Sequence, residues 1–501
     1  MSLKKELGLI DIFSLATGAM ISSGIFILPG IAFAQAGPSV FLSYFIAGLL
    51  ALTGAFSIVE LSSAMPKAGG DYFFITRSLG PMFGTVSGML SWFALSLKTA
   101  FAIIGIGEIM FVFWGVDVLI SSMALTLFFV LLNIVGVKEA GKFEVLIVMG
   151  LLAILLFHVV LGLPNVKVSQ FEPFAPLGVN ALFLTAGFVF VAYGGLLKVA
   201  SVAEEVKNPK RNIPAGIFLS LFVTTILYSL ITLIAVGTVP PEQLAGSLTP
   251  IADSAFVFMG TPGRILLTVA ALLAFVSTGN AGIMAASRYP YALGTDRLLP
   301  GFFSKVLPKS GTPVVAVALT GLLISLSFFL TLDLLVKVAS TVVIVTYILS
   351  QISIIILRES GVQNYRPSFK APLYPWIQLI SIGLFILLLL DMGQTVMLIS
   401  LGFVFVGVLF YFVYGRLFNS SEYALLHILR RITNKKIGTP SLSRELKEIL
   451  HERDEVTFDR FDHLVNSATV IDLEGAHTLD KFITVVAKEL ADITGRDEGK
   501  M

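Results

Sequence analysis

Cysteine is absent from this 501-residue chain and charge is scarce, with only 13% of residues being Asp, Glu, Lys or Arg. The first absence excludes disulfides, thiolate metal ligands and a cysteine nucleophile, and leaves the compartment open. The second, beside a hydrophobic share of 56%, excludes an ordinary soluble globule and indicates a polytopic membrane protein. A net charge of +2 says little, because in a membrane protein the placement of Lys and Arg matters more than their sum. Also missing are a P-loop, a cluster of metal ligands and a nucleophile with a histidine partner. The chain therefore reads as neither an enzyme nor an ATP-driven pump, with no cofactor, no metal and no nucleic-acid partner expected. Its start, "MSLKKELGLIDIF", is basic. The apolar stretch behind it is too long for a cleavable signal peptide and has no small-residue cleavage site.

What is present is length and apolarity in blocks. A hydrocarbon core about 30 Å thick needs roughly twenty apolar residues per helix. That criterion predicts about twelve spans, near 9–36, 39–63, 84–113, 118–136, 143–163, 180–203, 213–238, 264–293, 312–331, 333–357, 376–393 and 395–415. Basic residues fall on alternate loops: Lys67 and Arg77; Lys138 and Lys142; Lys207, Lys210 and Arg211; Arg297, Lys305 and Lys309; Arg358, Arg366 and Lys370. Lys167 is the clearest exception. The positive-inside rule then puts both termini in the cytoplasm.

Two of these spans are internally broken. The first contains "GAMISSGIF", residues 18–26, and the sixth contains "FVFVAYGGLLKVASVAEEV", with Gly194 and Gly195 in mid-membrane. Each is the first helix of a five-helix block. Five is odd, so the second block enters from the opposite side, as in an inverted repeat with paired interrupted helices. Paired glycines and serines in a membrane helix also serve close packing, but the symmetric placement favours a ligand site. Unwound backbone at that depth has to line a cavity or meet a ligand. Amides around Ser22, Ser23 and Gly24 would receive an anion at the positive end of a half-helix, and the freed carbonyls of Met20, Val191 and Gly194 a cation. An anion cradle beside a cation cradle describes an amino acid zwitterion.

At these residues the chain resembles the amino acid, polyamine and organocation transporter superfamily, over about residues 5–415. The family's span-one signature reads here as "GAMISSGIFILPG", with Ser22 departing from the usual glycine. The loop after span two reads "ELSSAMPKAGGDYFFITRSLG", that after span six "AEEVKNPKRNIPAGI", and that after span eight "SRYPYALGTDRLLP". The resemblance implies an all-α fold of LeuT type: a 5+5 inverted repeat, about 9–163 and 180–357, plus two extra helices over 376–415, in a transporter domain of residues 1–417. It implies that Met20, Ile21, Ser22, Ser23 and Gly24 form one wall of the substrate site, and that Phe190, Val191, Ala192, Tyr193, Gly194 and Gly195 form the facing wall. It also implies alternating access, with spans one, two, six and seven rocking against a scaffold. Many relatives carry a gating aromatic where this chain has Val191, which leaves Phe190 or Tyr193 as substitutes. Beyond the break, relatives often read glycine, aromatic, acidic; this chain reads Gly195, Leu196, Leu197, Lys198.

Lys98, near the middle of span three, is the sharpest individual signal, because a charge there costs at least roughly 2.5 kcal/mol. It resembles a substrate-facing position that is neutral and polar in the arginine and agmatine exchangers. Either it loads and unloads a proton, or it stays charged and favours an acidic side chain; satisfaction by backbone carbonyls is the bland alternative. Glu60, Glu108, Glu144, Asp333 and Asp391 fall near span ends, which argues against cationic substrates. Some proton-coupled relatives carry a lysine in span five, where this chain has Leu151 or its neighbours. Ser277, Thr278 and Asn280 resemble the hydroxyl region that coordinates sodium in sodium-coupled members. Lys98, Ser277, Thr278, Asn280, Trp92 and Phe190 are thus the coupling and gating candidates, with sodium at Ser277 and Thr278 the weaker alternative to a proton or an exchanged amino acid. His158 and Lys198 lie near span ends, where packing and snorkelling are the expected roles.

Beyond about Phe418 the composition turns charged. An amphipathic linker over 418–440, helical from Glu422 to Ile432, carries Arg430, Arg431, Lys435 and Lys436, suited to anionic headgroups. Residues 441–501 read as a small cytoplasmic α/β regulatory domain, with a strand near Thr469–Leu473 and a helix near Leu479–Ile493. It distantly resembles the start of a phosphotransferase-system regulatory domain. Neither His463 nor His477 has a phosphotransfer context, and a truncated longer chain is an equal reading. The sequence as a whole predicts an amino acid permease of the plasma membrane, for neutral or acidic substrates. An inorganic-ion transporter and an amino acid sensor are the alternatives, and a homodimer is left open.

Overall fold

The computed structural model describes residues 5–454, apart from residues 22, 68, 136–139, 308–311, 363, 419–421 and 434–440. The strand and helix expected at 469–473 and 479–493, and His463 and His477, lie outside the described residues, as do the side chains of Arg430, Arg431, Lys435 and Lys436. The chain divides into a unit of Met1–Leu450 and a second of His451–Met501; the first is described below.

Among the described residues the chain is all-helical, with a lone parallel bridge between Leu7 and Val206 and no strand. The first apolar stretch is folded in pieces, α1 (Leu9–Met20), α2 (Ser23–Phe26) and α3 (Leu28–Ala36). Then come α4 (Val40–Ala64), the short α5 (Asp71–Leu79), and the long α6 (Pro81–Trp114). Next are α7 (Val118–Val135), α8 (Ala140–Gly162), α9 (Gly178–Val189) and α10 (Leu196–Ser201), the last two separated by a 3₁₀ turn at Phe190–Tyr193. They are followed by α11 (Pro209–Thr238), α12 (Pro241–Leu244) and α13 (Pro250–Thr295), which bends at Gly260, where φ is +64°. The chain continues through α14 (Val314–Ser327), α15 (Leu332–Ser360), α16 (Trp376–Leu390) and α17 (Gln394–Phe410). Three tail helices follow, α18 (Arg416–Phe418), α19 (Ala424–Thr433) and α20 (Ser441–Asp454).

Among the described residues, nine helical stretches are long and apolar enough to cross a membrane, accompanied by three shorter apolar helices, α1, α14 and α16. Outward faces carry large apolar side chains open to the surroundings, such as Leu127 and Phe128 on α7, Leu156 and Val160 on α8, and Leu398 and Phe405 on α17. Such faces are stable in lipid, where helices satisfy their own backbone hydrogen bonds. The protein is a multi-pass membrane protein.

Helix α6 lies at the centre of the bundle, packed against α5, α7, α13, α14, α15 and α17, while α11 packs against α1 and α4. Five tyrosines, Tyr44, Tyr193, Tyr228, Tyr289 and Tyr347, are wholly buried between these layers. Helices α5, in the loop after span two, α12, in the loop after span seven, and α20, in the tail, lie outside the elements expected from sequence. Helix α5 starts at Gly70 and stops at Gly80, with φ of +63° and +106°, conformations that any residue with a Cβ adopts at a cost.

Candidate functional site

The two broken stretches touch. A Cβ on Gly24 would lie 2.6 Å from Cβ of Ala192, so α2 rests directly on the 3₁₀ turn before α10. A Cβ on Gly195 would lie 2.9 Å from the backbone N of Met20. Glycine at both positions is what lets the interruptions cross at backbone distance.

Unwinding frees backbone groups, and neighbouring side chains take them up. The Tyr228 hydroxyl donates to the carbonyl of Met20, and the Tyr44 hydroxyl donates to that of Gly24 at 3.2 Å. Ser340 on α15 splints the second break: its hydroxyl accepts from the Val191 N–H at 3.1 Å and donates to the Phe188 carbonyl at 2.8 Å. The breaks are thus held as a fixed scaffold, since each group left unpaired in such a setting would cost several kcal/mol.

Lys98 reaches in from α6. Its ammonium donates to the carbonyl of Ala19 at 2.7 Å and to that of Val191 at 3.2 Å, one carbonyl from each interrupted stretch. The lysine is buried and lines two cavities. One, of about 30 Å³, is the more polar of the two, with Glu144, Lys198, Ser277 and Thr278 set in a largely apolar wall. The other, of about 10 Å³, is apolar, walled by Gly24, Phe101, Val191, Ala192, Leu335 and Val336.

The structure brings Gly24, Lys98, Val191, Ala192, Gly194, Gly195, Ser277 and Thr278 to these two cavities. Met20 and Ile21 are buried at the break itself. Ser22 and the side chain of Ser23 lie outside the described residues. The remaining candidates sit elsewhere. Phe190 packs edge-on against Tyr347 and Phe385, each at 5.5 Å between ring centres. Tyr193 turns to Tyr228 and donates to the Tyr44 carbonyl at 2.7 Å. The Trp92 indole N–H donates to Thr320 at 2.9 Å. Asn280 accepts from Asn133 at 2.9 Å, tying α13 to α7. Buried His158 packs on Phe258. In the apolar cavity the aromatic wall is Phe101, which sequence reasoning passed over because nothing local distinguishes one phenylalanine of α6 from the next.

The largest omission is an ion pair. Lys198 Nζ lies 2.7 Å from Glu144 Oε1, and both line the polar cavity with Lys98. By sequence both sit near span ends, and only the packing of α8 against the interrupted helices carries them inward. The expectation that carboxylates stay away from the site therefore fails for Glu144. The titratable groups of the cavity are Lys98, Lys198 and Glu144.

A second polar cluster lies where α5 meets α6 and α13. Buried Asp71 accepts from Ser87 at 2.7 Å, Ser91 at 2.6 Å and Tyr289 at 2.8 Å. Burial pushes its carboxyl above the ordinary aspartate value, against the downward pull of the Ser91, Ser87 and Tyr289 hydrogen bonds. The next residue, Tyr72, donates to Asp296 at 2.7 Å, and Arg77 bridges Asp296 at 3.5 Å and Glu445 of α20 at 2.7 Å.

The chain matches the amino acid permease family over residues 7–423. It is 30% identical to the branched-chain amino acid permease BcaP of Bacillus subtilis (strain 168) over 446 residues, covering 83% of this chain and 94% of that protein. It is 30% identical to the methylthioribose transporter of the same organism, over 83% of this chain and 94% of that protein. It is also 29% identical to that organism's aspartate-proton symporter, over 73% and 75%.

Proposed function

We propose, because this chain belongs to the amino acid permease family, that it is a secondary transporter of neutral or acidic amino acids. Its cycle is alternating access on a LeuT-type 5+5 inverted repeat, with the breaks in α1–α3 and α9–α10 as the paired discontinuous helices. The driving force is a proton or an exchanged amino acid. The protein sits in the plasma membrane with both termini in the cytoplasm, the orientation that the basic loops favour.

The observation that carries this reading is the crossing of the two interruptions at Gly24 and Ala192. Backbone from both breaks faces the cavities that Lys98 divides, and backbone recognises the part that all amino acids share. The apolar wall of Phe101, Leu335 and Val336 favours a neutral aliphatic side chain first, consistent with a relative named for branched-chain amino acids. The relative named as an aspartate-proton symporter keeps acidic substrates and proton coupling within the reading. Sodium fits less well: Ser277 and Thr278 share their cavity with the ammonium of Lys198, so a positive charge already stands beside those hydroxyls. The test is uptake of labelled amino acids into liposomes with a proton gradient, a sodium gradient or preloaded amino acid. Saturable uptake driven by proton or preload is expected. Silence across all twenty amino acids by folded protein overturns the reading.

A further inference from the structure

The ammonium of Lys98 stands where the ammonium of a substrate would. Helix α1 ends at Met20, so its last carbonyls lack intrahelical partners and form the negative end of the helix dipole. Thr17 O is taken by the Ile21 N–H, Met20 O by Tyr228, and Ala19 O by Lys98. In the facing break, Val191 O accepts from the Gly194 N–H at 3.1 Å and also from Lys98. The acceptors from opposite walls that converge on one cation are thus Ala19 O and Val191 O, and the cation belongs to the protein.

We propose that Lys98 is a tethered competitor: its side chain occupies the ammonium subsite formed by Ala19 O and Val191 O, and an amino acid binds by displacing it. The inference rests on the amino acid reading above and sharpens it. Three observations carry it. The two carbonyls come from spans one and six, both in the bundle expected to rock, and Lys98 comes from span three, in the scaffold, so the lysine links bundle to scaffold as a substrate would. Lys98 lines the apolar cavity on one side and the polar cavity on the other, so a displaced side chain has a polar space to enter. That space of about 30 Å³ is large enough for a water molecule and presents the Glu144 carboxylate, which a displaced Lys98 would share with the Lys198 ammonium already paired to it. With the lysine in place the carbonyls are satisfied in the absence of ligand, and substrate exchanges one ammonium for another. Binding is weaker than the same cradle would otherwise give, and release is correspondingly easier.

The test compares full-length wild type with Lys98→Met, Lys98→Gln and Lys98→Arg, each shown to be folded by its thermal unfolding transition in detergent. Calorimetric titrations use L-leucine and L-alanine against 4-methyl-2-oxopentanoate and pyruvate, which keep the carbon skeleton and carboxylate and lack the amine. Lys98→Gln keeps a neutral donor for the two carbonyls, which guards against a Met variant that fails to fold. Removing the cation should tighten amino acid binding by about tenfold or more, the scale of one charge-assisted hydrogen bond. It should leave the 2-oxo acids no tighter, so that the preference for amine over oxo ligand rises by the same factor. Lys98→Arg should stay within about threefold of wild type, since a cation still holds the carbonyls. A preference that is unchanged or lower in both neutral variants overturns the tethered-competitor proposal while leaving amino acid binding intact. Absence of leucine and alanine binding in every folded form overturns the neutral amino acid reading itself, and the competitor with it.

Discussion

Lys198 Nζ and Glu144 Oε1 lie 2.7 Å apart, with side chains 11% and 14% exposed, and join α10, directly after the second break, to α8. A pair this sheltered is best judged by what remains when one partner goes. An uncompensated buried charge costs on the order of 3–5 kcal/mol, whereas removing both partners is often nearly neutral. Glu144→Gln and Lys198→Met should each lower the unfolding temperature in detergent, and the double variant should recover most of the loss. If the double variant is as unstable as the sum of the singles, the pair contributes no coupling and the two side chains act separately.

The contact of Gly24 with Ala192 predicts a functional loss larger than the structural one. Gly24→Ala would set a Cβ 2.6 Å from another Cβ, so α2 has to move off the 3₁₀ turn by several tenths of an ångström or more. A cradle made of backbone is sensitive to shifts of that size. Saturable uptake should fall at least about tenfold, while the unfolding transition of the purified variant stays cooperative. Full uptake would mean that α2 and the turn are free to part without consequence to the site.

Asp71 predicts a pH dependence with a definite sign. Burial raises its carboxyl above the ordinary value of 3.8, so the folded state holds the proton more tightly than the unfolded state. The stability it contributes is complete below that ordinary value and is lost as pH rises through the elevated one. Asp71→Asn removes the titration. The unfolding temperature of the variant relative to wild type should therefore climb as pH rises above about 4 and then level off. A difference that moves the other way would show that the three hydrogen bonds from Ser87, Ser91 and Tyr289 outweigh the burial.

These residues also mark how far the sequence could be read. The breaks were legible because glycine pairs in apolar stretches violate the local rule for a buried helix, and Lys98 because a mid-span charge violates the rule for lipid. Violations of local rules are visible in one dimension. Glu144 and Lys198 violate nothing locally: each is an ordinary charge near the end of an apolar stretch, and the packing of α8 against α1 and α13 turns both toward one cavity. Tyr228 and Ser340 were invisible for the same reason, since the carbonyls and amide they satisfy become unpaired only after the helices break. Phe190 and Tyr193 show the same limit from the other side. Their position beside the break marks them as substitutes for a gating aromatic, and in this structure the 3₁₀ turn directs their rings toward Tyr347 and Tyr228, contacts that no local pattern displays.

The last prediction concerns the far side of α4, where Glu60 is wholly buried. Its carboxylate accepts from Arg358 Nε at 2.8 Å and from Arg358 Nη2, from the Tyr365 hydroxyl at 3.0 Å and from the Ala371 N–H at 2.6 Å. One side chain thus fastens α4 to the end of α15 and to the segment after it. The fork of the guanidinium matches both carboxylate oxygens, which a lysine cannot reproduce. Arg358→Lys should therefore destabilise nearly as much as Arg358→Met, and Glu60→Gln should cost about 3–5 kcal/mol. Paired Glu60→Met and Arg358→Met should regain part of this loss, short of wild type, because the Ala371 N–H would still lack its acceptor. Thermal unfolding of the four variants in one detergent gives the comparison. Equal stability of Arg358→Lys and wild type would show that charge alone holds the junction, and would reduce the bidentate geometry to a bystander.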